Sequence, residues 1–385
     1  MNILIFQYCF YNPDFGGISK MSKVYYEMLS RRGHNVFFIS TKYTQDDYFD
    51  NQLHLSDCSI NKQHNDFISI LRKYEITLMI YQDGINPKNN RFLRWAKDLD
   101  IKTIDVIHST FKGMYGIDGR PQFSFLKLKV LRHICERIVF SYFIAKYRSL
   151  YREEFRLCER IVILSDKLRK DIEVFTGWSD FSKFKAITNP LTLDPILRDS
   201  DKKEKLVIHV GMLSPYKRQD LLLKIWAIVE KHCPDWRLNI VGDGIQMDFL
   251  VKLSKKLGLT SITFRGHQSP IEYYKKSSIF CLTSAFESFG LVLVESMALG
   301  CVPIAFNSFE TACDIIDDGV NGFLISPYNI EKYAQCLIEL IENDEKRKNM
   351  SLSAIRKSKQ FKVDAIEEEW INLIRDIVNL NETKT

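Results

Sequence analysis

Residues 279–306 read IFCLTSAFESFGLVLVESMALGCVPIAF, two short apolar runs, 279–284 and 302–306, separated by an apolar helical stretch. Two parallel strands need a crossover of a dozen or more residues, and a helix is the usual one. The helix carries its own punctuation: Gly290 opens it, and Gly300 with Pro303 supplies the stop expected past a helix end. Leu291, Val292, Leu293 and Val294 are too apolar to face water, so the helix is buried and Glu295 goes into the interior with them.

The alternation of apolar runs and amphipathic stretches continues to both ends of the chain. NILIFQ, NVFFIS, LMIYQ, KTIDVIH, RIVILS and FKAITN form a first series of strands; KLVIHVG, RLNIVG, ITFRG, IFCLTS, VPIAF and GFLIS form a second. This is the pattern of parallel sheets with helices on both faces. The expected fold class is α/β, with two Rossmann-like doubly wound domains facing across a cleft, residues 1–190 and 206–365. The stretch 191–205, rich in Pro, Asp and Lys, reads as a linker. In such sheets ligands sit outside the carboxyl ends of the strands.

An ionised carboxylate at position 295 costs several kcal/mol, by order of magnitude, unless specific donors meet it, from protein or from ligand hydroxyls. Upstream, Ser288, Phe289, Gly290 and Leu291 present backbone N–H groups at a helix start, where a phosphate is favoured by up to about 2 kcal/mol. Glu287 stands beside that anion site. An acid there is poorly suited to holding the anion and better suited to gripping a neutral polyol attached to it. A sugar nucleotide offers both parts.

Glu287 to Glu295 resembles the E-x7-E motif of retaining glycosyltransferases, and ESFGLVLVESMALGCVP is similar to family 4 glycosyltransferases of the GT-B fold. The resemblance implies that Glu287 lies against the donor sugar and Glu295 holds the ribose hydroxyls. HVGMLSPYKRQDLLLKIW resembles the pattern G-R-L-(x)4-K, in which the arginine and lysine neutralise the departing diphosphate. Gly211 ends its strand and Lys217 matches the lysine, but Met212 stands where the family has arginine. Arg218 is then the base expected to compensate.

Other positions follow the same resemblance. Gly16 and Gly17, after the first strand, resemble the glycine-rich loop near the donor diphosphate and the acceptor, although an ordinary strand-to-helix turn explains a lone pair of glycines equally well. His108, just past a strand end in VIHST, resembles the histidine that approaches the donor sugar; a lone histidine is more often structural. Gly242, Asp243 and Gly244 resemble a G-D-G-P turn with Ile245 for proline, and FRGHQSP resembles an F-x-G segment, making Gly266, His267 and Gln268 base contacts. SDKLRKDIEVFTG with ITNPL resembles the run before the linker. The C-terminal helix AIEEEWINLIRDIVNL, with Ile366, Trp370, Leu373, Ile374, Ile377 and Val378 mostly on one face, is implied to send residues 366–385 back onto the first domain. The likeness covers nearly all of the second domain and about half of the first.

Composition sets the outer bounds. With 385 residues, two or three domains are expected, and 45% hydrophobic residues suffices for packed cores. Nine cysteines are scattered without a C-x-x-C pair or zinc-like histidine spacing, so neither a disulfide framework nor a structural metal is expected, which fits a reducing cytosol. The start MNILIFQYCFYNP reads as a buried strand rather than a signal peptide. No apolar run approaches the roughly 20 residues of a membrane span.

The net charge is +6, and residues 112–160 alone hold eleven Lys or Arg against five acids. Phe123, Phe125, Leu126, Ile134, Ile138, Phe140 and Tyr142 interleave with these bases. Segment 112–160 therefore reads as a surface meeting an anionic bilayer, the alternative being packed helices with a solvated basic face. Nucleic acid is not an expected partner, because no reader motif accompanies the bases.

The resemblance implies a retaining glycosyltransferase that moves a sugar from a nucleoside-diphosphate sugar, UDP-sugar favoured, to a hydroxyl of a lipid-linked or glycan acceptor in surface polysaccharide assembly. Glu287, Lys217 and His108 are the catalytic candidates. No cofactor and no metal are implied, and the place is cytoplasmic, on the inner face of the membrane. The alternatives are a GT-B sugar-nucleotide epimerase and a non-catalytic GT-B binding protein.

Overall fold

The computed structural model describes residues 1–7, 11, 17–41, 48–55, 59–82, 90–115, 129–193 and 203–382, excepting the side chains of 129–133 and 379–382. Two compact units emerge, one made of Met1–Pro190 with Ile366–Thr385, the other of Leu191–Ala365.

Among the described residues, the first unit holds seven parallel strands: β1 (Asn2–Gln7), β2 (Asn35–Ser40), β3 (Gln52–His54), β4 (Leu78–Gln82), β5 (Lys102–Ile107), β6 (Arg160–Ile163) and β7 (Phe184–Ala186), in the order β3-β2-β1-β4-β5-β6-β7. The second holds six: β8 (Glu204–Val210), β9 (Arg237–Val241), β10 (Ile262–Phe264), β11 (Ser277–Leu282), β12 (Val302–Phe306) and β13 (Phe323–Ile325), in the order β10-β9-β8-β11-β12-β13. Both sheets thus reverse direction once, between β1 and β4 and between β8 and β11. Chains leaving two neighbouring strands diverge at such a switch point, so the loops after them line a crevice.

Central strands are buried along their whole length, β4, β11 and β12 without a single exposed residue. That is why they read as unbroken apolar runs rather than alternating ones. Around the second sheet, Leu222, Trp226, Ile240, Ile304, Tyr333 and Leu337 form one core; around the first, Phe6, Phe67, Tyr81, Phe92, Tyr151 and Phe155 form another.

Three readings need correction. β3, Gln-Leu-His, was not expected: a three-residue edge strand is too short and too polar to show a period. The segment 191–205 is not wholly a linker, since Leu191 is buried and bridges to Lys362, Glu204 and Lys205 begin β8, and Lys203 Nζ donates to the carbonyls of Tyr274, Ser277 and Leu299. In the helix Val363–Glu382, Ile366, Trp370, Leu373, Ile374 and Ile377 are buried, but Val378 is exposed and Ile371 is buried in its stead. That helix is fastened within the first unit. Arg31 and Arg32, closing the helix Gly17–Arg31, pair with Glu367, Arg32 also with Glu368, and Trp370 packs on Tyr25.

Candidate functional site

At the switch point of the second sheet, two loops leave the adjacent strands β8 and β11. The backbones are tied together: Ala285 N donates to Tyr216 O at 2.7 Å and Thr283 Oγ1 to Lys217 O at 3.1 Å. The rings of Tyr216 and Phe286 stack at 5.2 Å between centroids, 11° from parallel. These ties bring Lys217 onto Glu287. Its Nζ lies 2.6 and 2.8 Å from the two carboxylate oxygens, and Ser284 Oγ donates to Oε1 at 2.6 Å. Only 14% and 11% of the two side chains is open to solvent. Pairs this enclosed add little net stability, because desolvation offsets the attraction. The arrangement therefore points to chemistry more than to scaffolding.

Gly290 caps the next helix, Leu291–Ala298, with φ +92, a conformation that costs glycine little and other residues more. Leu293 N donates back to Gly290 O, while the first N–H groups of any helix have no acceptor inside it. Phe289 anchors this turn: its ring is buried against Phe361 and its carbonyl accepts from Thr311 Oγ1. Ser288 is half-buried beside Glu287. Eight residues on, Glu295 is buried at 3% exposure, with Tyr274 Oη donating to its Oε2 at 3.4 Å. Burial, with Glu295 adding to it, pushes the Tyr274 phenol well up, so the phenol stays a donor.

Support from below was not foreseen. His209, in β8, is wholly buried; its Nδ1 lies 2.9 Å from Cys281 O and its Nε2 3.2 Å from Gln219 Nε2, which also donates to Met212 O at 2.9 Å. Burial lowers the His209 pKa to about 4, so the ring is a neutral prop between β11 and the 211–217 loop. Gly211 donates to Val241 O, and a Cβ on Gly242 would lie 2.0 Å from Gly211 O. Gly244 would likewise clash with Leu213 O. The glycines at 242 and 244 are thus needed for close loop packing.

Arg218, in the left-handed region at φ +53, is held by Asp220 at 2.9 and 3.2 Å and lies over the Tyr328 ring at 5.3 Å. Met212 is half-exposed. Gly266 accepts from Gly242 N through its carbonyl, and His267 and Gln268 are exposed beyond it, Gln268 accepting from Tyr273 Oη. Gly16 lies outside the described residues; Gly17 opens a helix with open space at its Cα. His108 belongs to the first unit, where burial lowers its pKa to about 4 and Gln82 Oε1 lies 2.8 Å from its Nε2. Asp105 in β5 is fully buried.

Residues 197–357, which contain every residue of the 211–295 arrangement, match the family of glycosyl transferases group 1. The chain is 35% identical over 224 residues to an uncharacterized glycosyltransferase of Haemophilus influenzae, covering 56% of this chain and 61% of that one. It is 30% identical over 238 residues to the GalNAc-alpha-(1->4)-GalNAc-alpha-(1->3)-diNAcBac-PP-undecaprenol alpha-1,4-N-acetyl-D-galactosaminyltransferase of Campylobacter jejuni, covering 60% and 64%. The matched stretches thus span less than two thirds of either relative. The crystal structure of Anabaena Alr3699/HepE in complex with UDP superposes with a TM-score of 0.76 at 18% identity, over 98% of this chain and 100% of that one. The fold is GT-B, two Rossmann-like parallel-sheet domains.

Proposed function

We propose that the protein is a retaining glycosyltransferase that transfers a sugar from a nucleoside-diphosphate sugar, UDP-sugar in the first instance, to a hydroxyl of a lipid-linked or glycan acceptor in surface polysaccharide assembly. The observation that carries this reading is the Lys217–Glu287 pair at the head of a glycine-capped helix that buries Glu295, all inside the segment matching group 1 glycosyl transferases. As the bond from the sugar carbon to phosphate breaks, the Lys217 ammonium and the N–H groups around Gly290 and Leu291 stabilise the charge growing on the diphosphate. Glu287 accepts from sugar hydroxyls and Glu295 from ribose hydroxyls. The new bond forms to the acceptor oxygen on the face the phosphate leaves, and the acceptor proton passes to a phosphate oxygen.

The acceptor class is supported by the Campylobacter relative, whose name specifies an undecaprenyl-diphosphate saccharide. It is supported too by the helix Lys129–Leu157, on which Ile134, Ile138 and Tyr142 are exposed by 48%, 63% and 68% at helical spacing, beside exposed Arg137 and Lys146. Such a stripe suits an anionic membrane surface. No helix among the described residues is long and apolar enough to cross a membrane. The test is a panel of nucleotide sugars scored by released nucleotide, with membrane lipid extract as acceptor; turnover of UDP-sugars only with extract is expected, and isomerisation of donor alone would replace this reading by an epimerase.

One observation favours a second reading. Met212 brings no charge to the loop, and Arg218 is already engaged by Asp220. A non-catalytic binding protein would bind UDP in calorimetry and release no nucleotide with any donor.

A further inference from the structure

The helix Lys129–Leu157 carries arginines at 148, 152 and 156, and a spacing of four sets them one above another on a single face. By the same period this is the face on which Ile134, Ile138 and Tyr142 are exposed. One face is therefore apolar in its first half and cationic in its second. The acids of the second half are engaged elsewhere: Glu153 accepts from Arg94 at 2.6 and 2.8 Å, and Glu154 is fully buried.

The arginines meet the end of a neighbouring helix, Leu168–Thr176, which closes on Gly177 at φ +63. Arg152 Nε donates to Thr176 O and its Nη2 to Gly177 O, both at 2.8 Å. Arg148 comes to the same turn, and its Nε is buried with no hydrogen-bond partner. A Cβ added to Gly177 would lie 2.7 Å from Arg152 Nη2 and 3.5 Å from Arg148 Nη2, so both cationic heads crowd onto one point beside an exposed glycine. A helix end carries about half a negative charge, which Arg152 alone exceeds. Arg148 adds a whole charge that no carboxylate among the described residues pairs with. Two cations this close repel, and an anion held between them removes the repulsion.

We infer that Arg148 and Arg152, at the Gly177 turn, form a binding site for the phosphate of an anionic lipid headgroup. A guanidinium presents a planar fork of N–H groups that matches the two unesterified oxygens of a phosphodiester, as the point charge of an ammonium does not. The membrane is the source because the site continues the exposed apolar face: with Ile134, Ile138 and Tyr142 in the acyl boundary, the arginine half of the helix lies among the phosphates. Arg156, exposed and over the Trp178 ring at 5.9 Å, borders it. The inference rests on the membrane reading of this helix proposed above, and adds a seat for one phosphate where a diffuse basic face has none.

The test is cosedimentation of the full chain with phosphatidylglycerol vesicles. Arg148→Gln should bind about tenfold more weakly, as loss of one charge-assisted hydrogen bond predicts. Arg148→Lys keeps the charge and loses the fork, so it should recover little of that binding; a lysine variant that binds like the parent overturns the site in favour of diffuse attraction. Inorganic phosphate, compared with chloride at equal ionic strength, should displace the parent and leave the residual binding of Arg148→Gln unchanged, and displacement of both forms alike overturns the site whether or not the variant is fully folded. Uptake of inorganic phosphate by the parent in calorimetry, with vesicle binding indifferent to Arg148, would overturn the lipid as its ligand. If every form binds vesicles equally, the membrane reading stands and the phosphate site falls; if no form binds them, the membrane reading falls and takes the site with it.

Discussion

Lys217 Nζ sits between both oxygens of Glu287, at 2.6 and 2.8 Å, although 70 residues separate the two in sequence. Each holds the other's charge in a largely enclosed place. Lys217→Ala should lower kcat about 10²–10³-fold, as loss of one oxyanion-stabilising group does. Glu287→Ala should cost as much, and the double variant should lose far less than the sum, because the two act as a unit. Single-turnover kinetics on the three variants would decide it; independent, additive losses would show that the pair is not a functional unit.

Tyr274→Phe removes a phenol that donates to the buried Glu295. Chemical denaturation should show a loss of about 1–3 kcal/mol, the cost of stripping a donor from a buried acceptor. Calorimetry with UDP should show weaker binding in the same variant if Glu295 holds the ribose.

Two glycines of neighbouring turns should respond differently to alanine. At Gly242 a Cβ would fall 2.0 Å from Gly211 O, whereas at Gly266 nothing lies within 4 Å and only the φ of +69 is unfavourable. Gly242→Ala should therefore cost more than about 3 kcal/mol or abolish folding, and Gly266→Ala about 1 kcal/mol. Melting curves of the two variants side by side measure the difference.

Burial raises the carboxyl of Asp105 from 3.8 to about 7. Because the folded state prefers the protonated form, the stability associated with it is full below about pH 4 and is lost as pH rises toward 7. Asp105→Asn cannot ionise. Relative to the parent it should gain several kcal/mol, by order of magnitude, between pH 4 and pH 8 in urea titrations. A difference that stays flat across that range would show that the carboxyl is ionised in the fold.

For the membrane, Ile138→Glu with Tyr142→Glu should weaken cosedimentation with phosphatidylglycerol vesicles more than tenfold, since each buried apolar side chain is worth about 1.5–3 kcal/mol. Turnover of a soluble acceptor should not change. Retained vesicle binding would return the exposed basic face to plain solvation.

The sheets were legible because fully buried parallel strands leave unbroken apolar runs, and six of seven strands in one unit and all six in the other stand where those runs are. The burial of Glu295 was legible because a charge in an apolar helix and a glycine before it are local signals, whereas Lys217 was singled out only by its likeness to a family pattern. Other parts depend on contacts that no local pattern encodes. His209 looks like any strand residue until Gln219 and Cys281 are seen on either side of it, and Arg218 looks available until Asp220 takes it.

The placing of Trp370 beside Tyr25, with Glu367 on Arg31 and Arg32, has a consequence for synthesis. A ribosome delivers residues 1–190 long before the helix Val363–Glu382 that fills their surface, whereas 191–365 is contiguous and can close on itself as it emerges. The later-made half should reach its native packing first, leaving the earlier-made half with a gap at the position of the indole until the helix Val363–Glu382 clears the exit tunnel.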